Sequence, residues 1–199
     1  MLRLDSPCHI VMPTDDPLLD AALASVMAVG VRRTTMSDVA RRARVSRQTA
    51  YRRHPDAASL ISSLMTREFG RVLETTAAAV GARPSGRERV VELVVGSCER
   101  LASEPLFVRI LDVDPELLLP YVVERLGGVQ RMAIAGLTGE LERAIADGSV
   151  RTERPEVLAA AMELLARSFA VGARAERADP FDLWGELRIA LDAYLAPRP

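Results

Sequence analysis

Apolar residues recur every three or four positions along almost the whole chain, and no stretch alternates with period two for long. That spacing lines apolar side chains along one stripe of a helix, so it predicts an all-α protein of about nine or ten helices and no sheet. The helix starts are marked. Thr14-Asp15-Asp16-Pro17 offers cap residues and then a proline where the first turn needs no N–H, ahead of a stripe of Leu19, Leu23, Val26 and Met27 that stops at Gly30. Thr35-Met-Ser-Asp38 reads as a capping box, its acid reaching back to the cap N–H, and opens a short helix with Val39, Ala40 and Ala43 inward. Ser46 caps a second short helix, Arg47–Arg53. His54-Pro55-Asp56 then breaks the chain, and Asp56 caps a long helix to about Ala79.

Gly81–Gly86, containing Pro84, is the clearest break in the pattern, and Ser85 starts the next helix, to about Ser103. A short helix follows at Pro105–Leu111. The stretch Asp114–Asp147 is helical but interrupted by Pro120 and Gly127-Gly128, which leaves one kinked helix or two. Pro155–Gly172 and Asp179–Ala196 are the last two helices predicted. Residues 1–13 read as a flexible arm, 14–60 as one domain and 61–199 as a second.

Composition then narrows the class. Of 199 residues 49% are hydrophobic, enough for a real core, while aromatics are only 4%, so the core is built mainly of Leu, Val, Ala and Met. Cys8 and Cys98 are too few for a disulfide framework. The longest uncharged stretch, Ala21–Val31, is far short of the ~18–20 residues of a membrane span, and Met1-Leu-Arg-Leu-Asp5 lacks a leader's apolar core. The expectation is a cytoplasmic protein with no membrane partner. The net charge of −1 hides an asymmetry. Residues 31–54 hold eight arginines against one acid, so that window carries +7 and the rest of the chain −8. The chain contains no lysine. A basic segment on an acidic body argues for a polyanion partner.

The two short helices joined by a tight turn lie inside that basic window and read as a helix-turn-helix. The first crosses the DNA backbone and the second enters the major groove. Arg47 and Arg52 suit guanine or phosphate, Gln48 suits adenine, and the hydroxyls of Ser46, Thr49 and Tyr51 suit phosphate oxygens. Helix N-termini at Thr35 and Ser46 aim free N–H groups at anions. Ala50 is the small residue that lets the two helices approach. A solvated charged face is the alternative reading of the same run.

The segment Gly30-Val-Arg-Arg-Thr-Thr-Met-Ser-Asp-Val-Ala-Arg-Arg-Ala-Arg-Val-Ser-Arg-Gln-Thr-Ala-Tyr51 resembles the signature of the tetracycline-repressor (TetR) family of bacterial transcription regulators. The likeness runs from Leu18 to Leu64 and rests on several spacings at once: Thr-Thr-Met-x-Asp-Val-Ala, the Val-Ser turn, and Thr-x-Tyr followed by Leu60. It implies an all-helical homodimer with a DNA-binding head and a long fourth helix leading to a body whose small-molecule effector weakens operator binding. Three residues depart from the family pattern. Arg44 stands where glycine is frequent in a turn that favours positive φ, His54 replaces an aromatic that closes the head, and Ala57 replaces a phosphate-gripping lysine. With Arg44, Arg52 or Arg53 as substitutes for that lysine, the expected DNA-facing set is Thr35, Arg44, Ser46, Arg47, Gln48, Thr49, Tyr51, Arg52, Arg53 and His54.

In the body, Met65, Phe69, Phe107, Leu118, Tyr121, Met132, Met162 and Phe169 are candidates to line an effector pocket, with plain core as the alternative. Arg109 or Glu163 would supply a polar contact. The last two helices carry a broad apolar face that either closes the core or pairs with a second copy. The resemblance implies the homodimer, through Val157, Ala161, Leu164, Leu165, Phe181, Trp184, Leu187 and Leu191. Asp112, Asp114 and Glu116 read as cap and first-turn acids rather than a metal site. His9 and His54 share no zinc spacing, and Cys98 reads as core rather than a sensing thiol. No phosphate loop, nucleophile elbow or His-Glu-x-x-His is present, so no cofactor and no catalysis are expected. The expected function is a ligand-responsive repressor acting on a pseudo-palindromic DNA operator. The rival is a helical small-molecule carrier without sequence-specific DNA binding.

Overall fold

The computed structural model describes residues 16–174 and 182–197. Those residues form ten α-helices and one short 3-10 turn, with no strand among them. The order is α1 (Pro17–Val29), α2 (Met36–Arg42), α3 (Arg47–Arg53), α4 (Ala57–Val80), α5 (Gly86–Ser103), α6 (Pro105–Val113), the 3-10 turn Pro115–Leu117, α7 (Leu119–Val123), α8 (Gly128–Ala146), α9 (Pro155–Gly172) and α10 (Leu183–Leu195).

The predicted caps close the predicted helices. Asp16 accepts the Leu18 N–H at 2.9 Å, Ser46 that of Thr49 at 3.1 Å, Asp56 that of Ser59 at 2.7 Å, and Ser85 that of Glu88 at 3.2 Å. Each satisfies an orphan donor of a first turn, a contribution of roughly 1 kcal/mol. Thr35 differs from expectation. Its hydroxyl accepts the Asp38 N–H at 3.2 Å but also donates to the Asp38 carboxylate at 2.7 Å, so the acid takes the cap hydroxyl instead of reaching the cap N–H.

The stretch Asp114–Asp147 divides into the 3-10 turn, α7 and α8. Pro120 lies in the first turn of α7, where its missing N–H is harmless, so it starts a helix rather than kinking one. The break falls at Gly127, whose extended backbone precedes α8. The last helix runs Leu183–Leu195, and its expected start at Asp179 lies outside the described residues.

Two cores form. The first gathers Leu18, Val26, Val39, Ala50, Leu60 and Leu64 from α1 to α4 with Leu106, Phe107 and Ile110 of α6. The second gathers Val90, Val94, Leu141, Leu158, Met162, Leu187 and Leu191 from α5, α8, α9 and α10. α4 and α6 therefore join the three-helix head to the body. Arg67 of α4 is only 1% exposed and pairs with Asp20 of α1 at 2.7 Å, fixing the same junction by charge.

The acids near Pro115 serve this junction too. Asp114 makes no side-chain cap bond. It accepts the Val31 N–H at 2.8 Å and lies 3.6 Å from the Arg32 guanidinium, while Glu116 pairs with Arg32 and Asp112 with Arg174. Gly30 makes the approach feasible: its φ is +84°, and a Cβ there would lie 3.0 Å from Asp114 Oδ2.

Candidate functional site

α3 is seven residues long and buries Ala50 completely, while Arg47, Gln48, Tyr51, Arg52 and Arg53 are exposed. A larger side chain at Ala50 would force α3 off α2, whose Val39 and Ala40 are buried in the same core. The turn between the helices is a Schellman motif. Val45 N–H donates to Ala40 C=O at 3.0 Å and Arg44 N–H to Arg41 C=O at 3.2 Å. Arg44 occupies its left-handed position with φ 57°, alone among the described non-glycine residues in that region. A Cβ there costs about 1–2 kcal/mol, and Arg44 is exposed.

The arginines of the window differ in availability. Arg32 is tied to Asp114 and Glu116, Arg41 to Asp38 at 3.1 Å, and Arg53 to Asp16 at 2.6 Å. Arg33, Arg42, Arg44, Arg47 and Arg52 have no acidic partner among the described residues. Arg53 was expected to face DNA. In the structure it also pairs with Asp16, the cap of α1, and so straps α1 to the end of α3, with its side chain still 44% exposed. Ser46 and Thr49 share a 2.9 Å hydroxyl contact beside the α3 N-terminus, and Thr35 caps α2 on the exposed side. His54 is half-buried, and burial is the main cause holding its pKa below the ordinary histidine value, with Arg53 acting the same way and Asp16 opposing. Ala57 is also half-buried against the first core.

Below the head lies a cavity of about 290 Å³. Its wall combines α4 (Met65, Thr66, Phe69, Leu73), α5 (Val94, Ser97, Cys98, Leu101), Phe107, Leu118, Tyr121, α8 (Gly128, Met132, Ala133, Leu137) and α9 (Glu163, Ala166, Arg167, Ala170). Phe69 and Phe107 meet edge-to-face at 5.7 Å and 85°. Gly128 brings α8 against α4, since a Cβ there would lie 2.7 Å from Thr66 Cγ2.

Six of the eight apolar residues singled out from the sequence are on this wall: Met65, Phe69, Phe107, Leu118, Tyr121 and Met132. Met162 and Phe169 are not. About 100° per residue puts them to one side of the Glu163–Ala166–Arg167–Ala170 stripe, and both pack in the second core. Glu163 does face the cavity, whereas Arg109 is not among its lining residues. The α5 residues Val94, Ser97 and Leu101 were missed, although a serine on an apolar stripe was a usable signal.

Glu163 is 6% exposed, and Arg167 lies 3.5 Å from it. Burial raises the Glu163 pKa above the usual carboxylate range, against the pull of Arg167 and of a hydrogen bond from the Gln130 side chain. Arg167 and Gln130 both donate to the Tyr121 carbonyl, pinning α7 over the cavity. The Cys98 thiol donates to the Ala166 carbonyl at 3.5 Å, and burial beside Glu163 pushes its pKa up to about 12.

On α9, Val157 and Leu164 are 43% and 55% exposed, and Ala161 and Leu165 half-buried. Leu187 and Leu191 on α10 are fully buried in this chain's own core, so they are not available to a second copy. The outer face of α10 instead carries Ile189, 63% exposed, with Ala190 and Ala193. Trp184 is half-buried against the second core, and Phe181 lies outside the described residues. No helix is long and apolar enough to cross a membrane among the described residues.

Residues 18–64, the span from α1 into α4, match the sequence profile described as bacterial regulatory proteins of the tetR family. An uncharacterized HTH-type transcriptional regulator of Mycobacterium bovis is 36% identical over 184 residues, covering 92% of this chain and 94% of its own. The chain belongs to the tetR family. It is a transcriptional regulator and not an enzyme. The family fold extends through the body. The transcriptional repressor QsdR of R. erythropolis superposes with a TM-score of 0.70 at 17% identity, covering 92% of this chain and 94% of that one. The Bacillus subtilis regulator FadR, solved with stearoyl-CoA, gives 0.62 at 14% identity, covering 90% and 96%.

Proposed function

We propose that this tetR-family chain is a dimeric repressor that inserts α3 into successive major grooves of a pseudo-palindromic operator and is released by a small, largely apolar effector bound in the body cavity. One observation carries the proposal. α4 serves both ends of the molecule, since its Leu60 and Leu64 pack in the core that seats α3 and its Met65 and Phe69 wall the cavity. An occupant of the cavity therefore acts on the same rigid helix that sets the pose of the head. The effect is limited to the occupant's differential affinity for the two poses, commonly ~1–3 kcal/mol.

Arg47, Gln48, Tyr51 and Arg52 are the residues assigned to DNA, with Gln48 reading bases and Tyr51 gripping phosphate. The apolar face of Val157, Leu164 and Ile189 is assigned to the two-fold mate. Stearoyl-CoA in FadR supports a body of this fold accommodating a long apolar chain.

Selection of bound sequences from random duplexes tests the reading. The expected result is an inverted repeat whose half-sites lie about one helical turn apart or somewhat more. Binding without any sequence preference would overturn it in favour of a carrier protein.

A further inference from the structure

The cavity is apolar over most of its wall but carries one acid–base pair deep in it. Glu163 and Arg167 both line it, Glu163 is more than nine-tenths buried, and 3.5 Å separates the guanidinium from the carboxylate. That separation is long for a charge-assisted hydrogen bond, which prefers about 2.7–2.9 Å. Several other polar groups of the wall are already engaged. Glu140 is held by Arg89 at 3.0 Å and Arg143 at 2.9 Å, Thr66 donates to the Ser62 carbonyl at 2.8 Å, and the Cys98 thiol donates to Ala166. Arg167 also donates to the Tyr121 carbonyl.

Resting on the reading of this cavity as the effector site, we infer that the effector is a neutral apolar molecule bearing one hydroxyl, an alcohol or a phenol, that donates to Glu163 and accepts from Arg167. Gln130 already donates to Glu163 and the pair sums to zero charge, so a neutral group with one donor and one acceptor adds a bond to each partner without adding charge. A carboxylate or ammonium would leave a net charge in an apolar cavity, where an unpaired ion is strongly penalised.

The test is calorimetric titration of the full chain with 1-decanol, decanoate and decylammonium, the alcohol below its solubility limit and the two ions below their micelle concentrations. Wild type is expected to bind 1-decanol at least about tenfold more tightly than either ion, because each ion adds an uncompensated buried charge. In Glu163→Gln the unpaired Arg167 then favours decanoate, moving the decanoate-to-decanol ratio by about tenfold or more. Arg167→Gln moves preference toward decylammonium, so the idea stays falsifiable if one variant fails to fold. Glu153→Gln, outside the cavity wall, leaves all three affinities unchanged. Equal binding of the three probes, preference for decanoate in wild type, no binding of any, or an unchanged ratio in both cavity variants would each overturn the inference. Operator affinity of the same preparation separates the two failures. Specific DNA binding with indifference to 1-decanol sinks only the ligand class, and decanol binding without specific DNA binding sinks the repressor reading.

Discussion

The Asp114 carboxylate accepts the backbone N–H of Val31 at 2.8 Å, across 83 residues of sequence, and so ties the end of α6 to the loop between α1 and α2. Asp114 is 2% exposed, and its removal leaves the part-buried Val31 N–H without an acceptor and Arg32 with Glu116 alone. Asp114→Ala should therefore cost about 1–3 kcal/mol. In a chain of this size that lowers the melting temperature by roughly 2–4 °C per kcal/mol. Asp114→Asn keeps an acceptor and should cost less. Equal melting temperatures for wild type and Asp114→Ala would refute the tie.

Arg44→Gly should stabilise the fold by about 1 kcal/mol, because glycine takes the left-handed backbone without the Cβ clash. The same substitution removes an exposed cation from the face beside α3. Thermal unfolding should rise while operator affinity falls, and a parallel rise of both would show that Arg44 does not touch DNA.

Salt dependence should sort the arginines. Arg47→Ala and Arg52→Ala should each reduce the slope of log affinity against log salt by about one, as lost phosphate contacts do. Arg32→Ala should leave the slope unchanged, since its charge is spent on Asp114 and Glu116. Gln48→Ala should cost ~1–3 kcal/mol at particular bases, whereas Tyr51→Phe should weaken all sequences alike.

Leu164→Glu and Ile189→Glu should convert a dimer to a folded monomer, read by sedimentation, because both side chains lie on the outer face. Leu187→Glu should instead unfold the chain, since it buries an unpaired charge in the second core. A dimer surviving both outer substitutions would place the interface elsewhere.

With its pKa pushed up to about 12, the Cys98 thiol should resist alkylation at pH 8 in a Cys8→Ser background until the protein is unfolded. Above pH 9, the ordinary value, the unfolded chain gives up this proton while the folded chain keeps it. This group's contribution to stability should thus decline as pH rises from about 9 toward 12.

Local chemistry was legible in the sequence where it acts within a turn or two. Ser46, Asp56 and Ser85 cap the helices expected of them, and Ala50 is buried where a small residue was anticipated. What the sequence left open depends on which way a stripe faces. Leu187 and Leu191 follow the same period as a dimer face, and only packing against α5 and α9 shows that this stripe points inward while Ile189 points out. Met162 and Phe169 were displaced from the cavity by the same quarter-turn ambiguity. Asp114 and Asp16 look like ordinary caps in sequence. Their long-range partners, Val31 and Arg53, are set by how helices meet, which no local spacing encodes.

The absent side chain of Gly128 lets α8 close directly on α4. α8 touches α4 there at Thr66 with no room for a methyl group between them. The two helices also close up one turn along, where a Cβ at Gly70 would lie 3.1 Å from Met132 Cε. Met132, one turn further along α8, lies on the cavity side, and Leu60 and Ile61 of α4 lie on the head side. On the proposed mechanism, a wedge driven in at Met132 would push on the same α4 whose Leu60 and Ile61 seat α3, and a bulkier residue at 128 would force α8 off α4 with no effector bound.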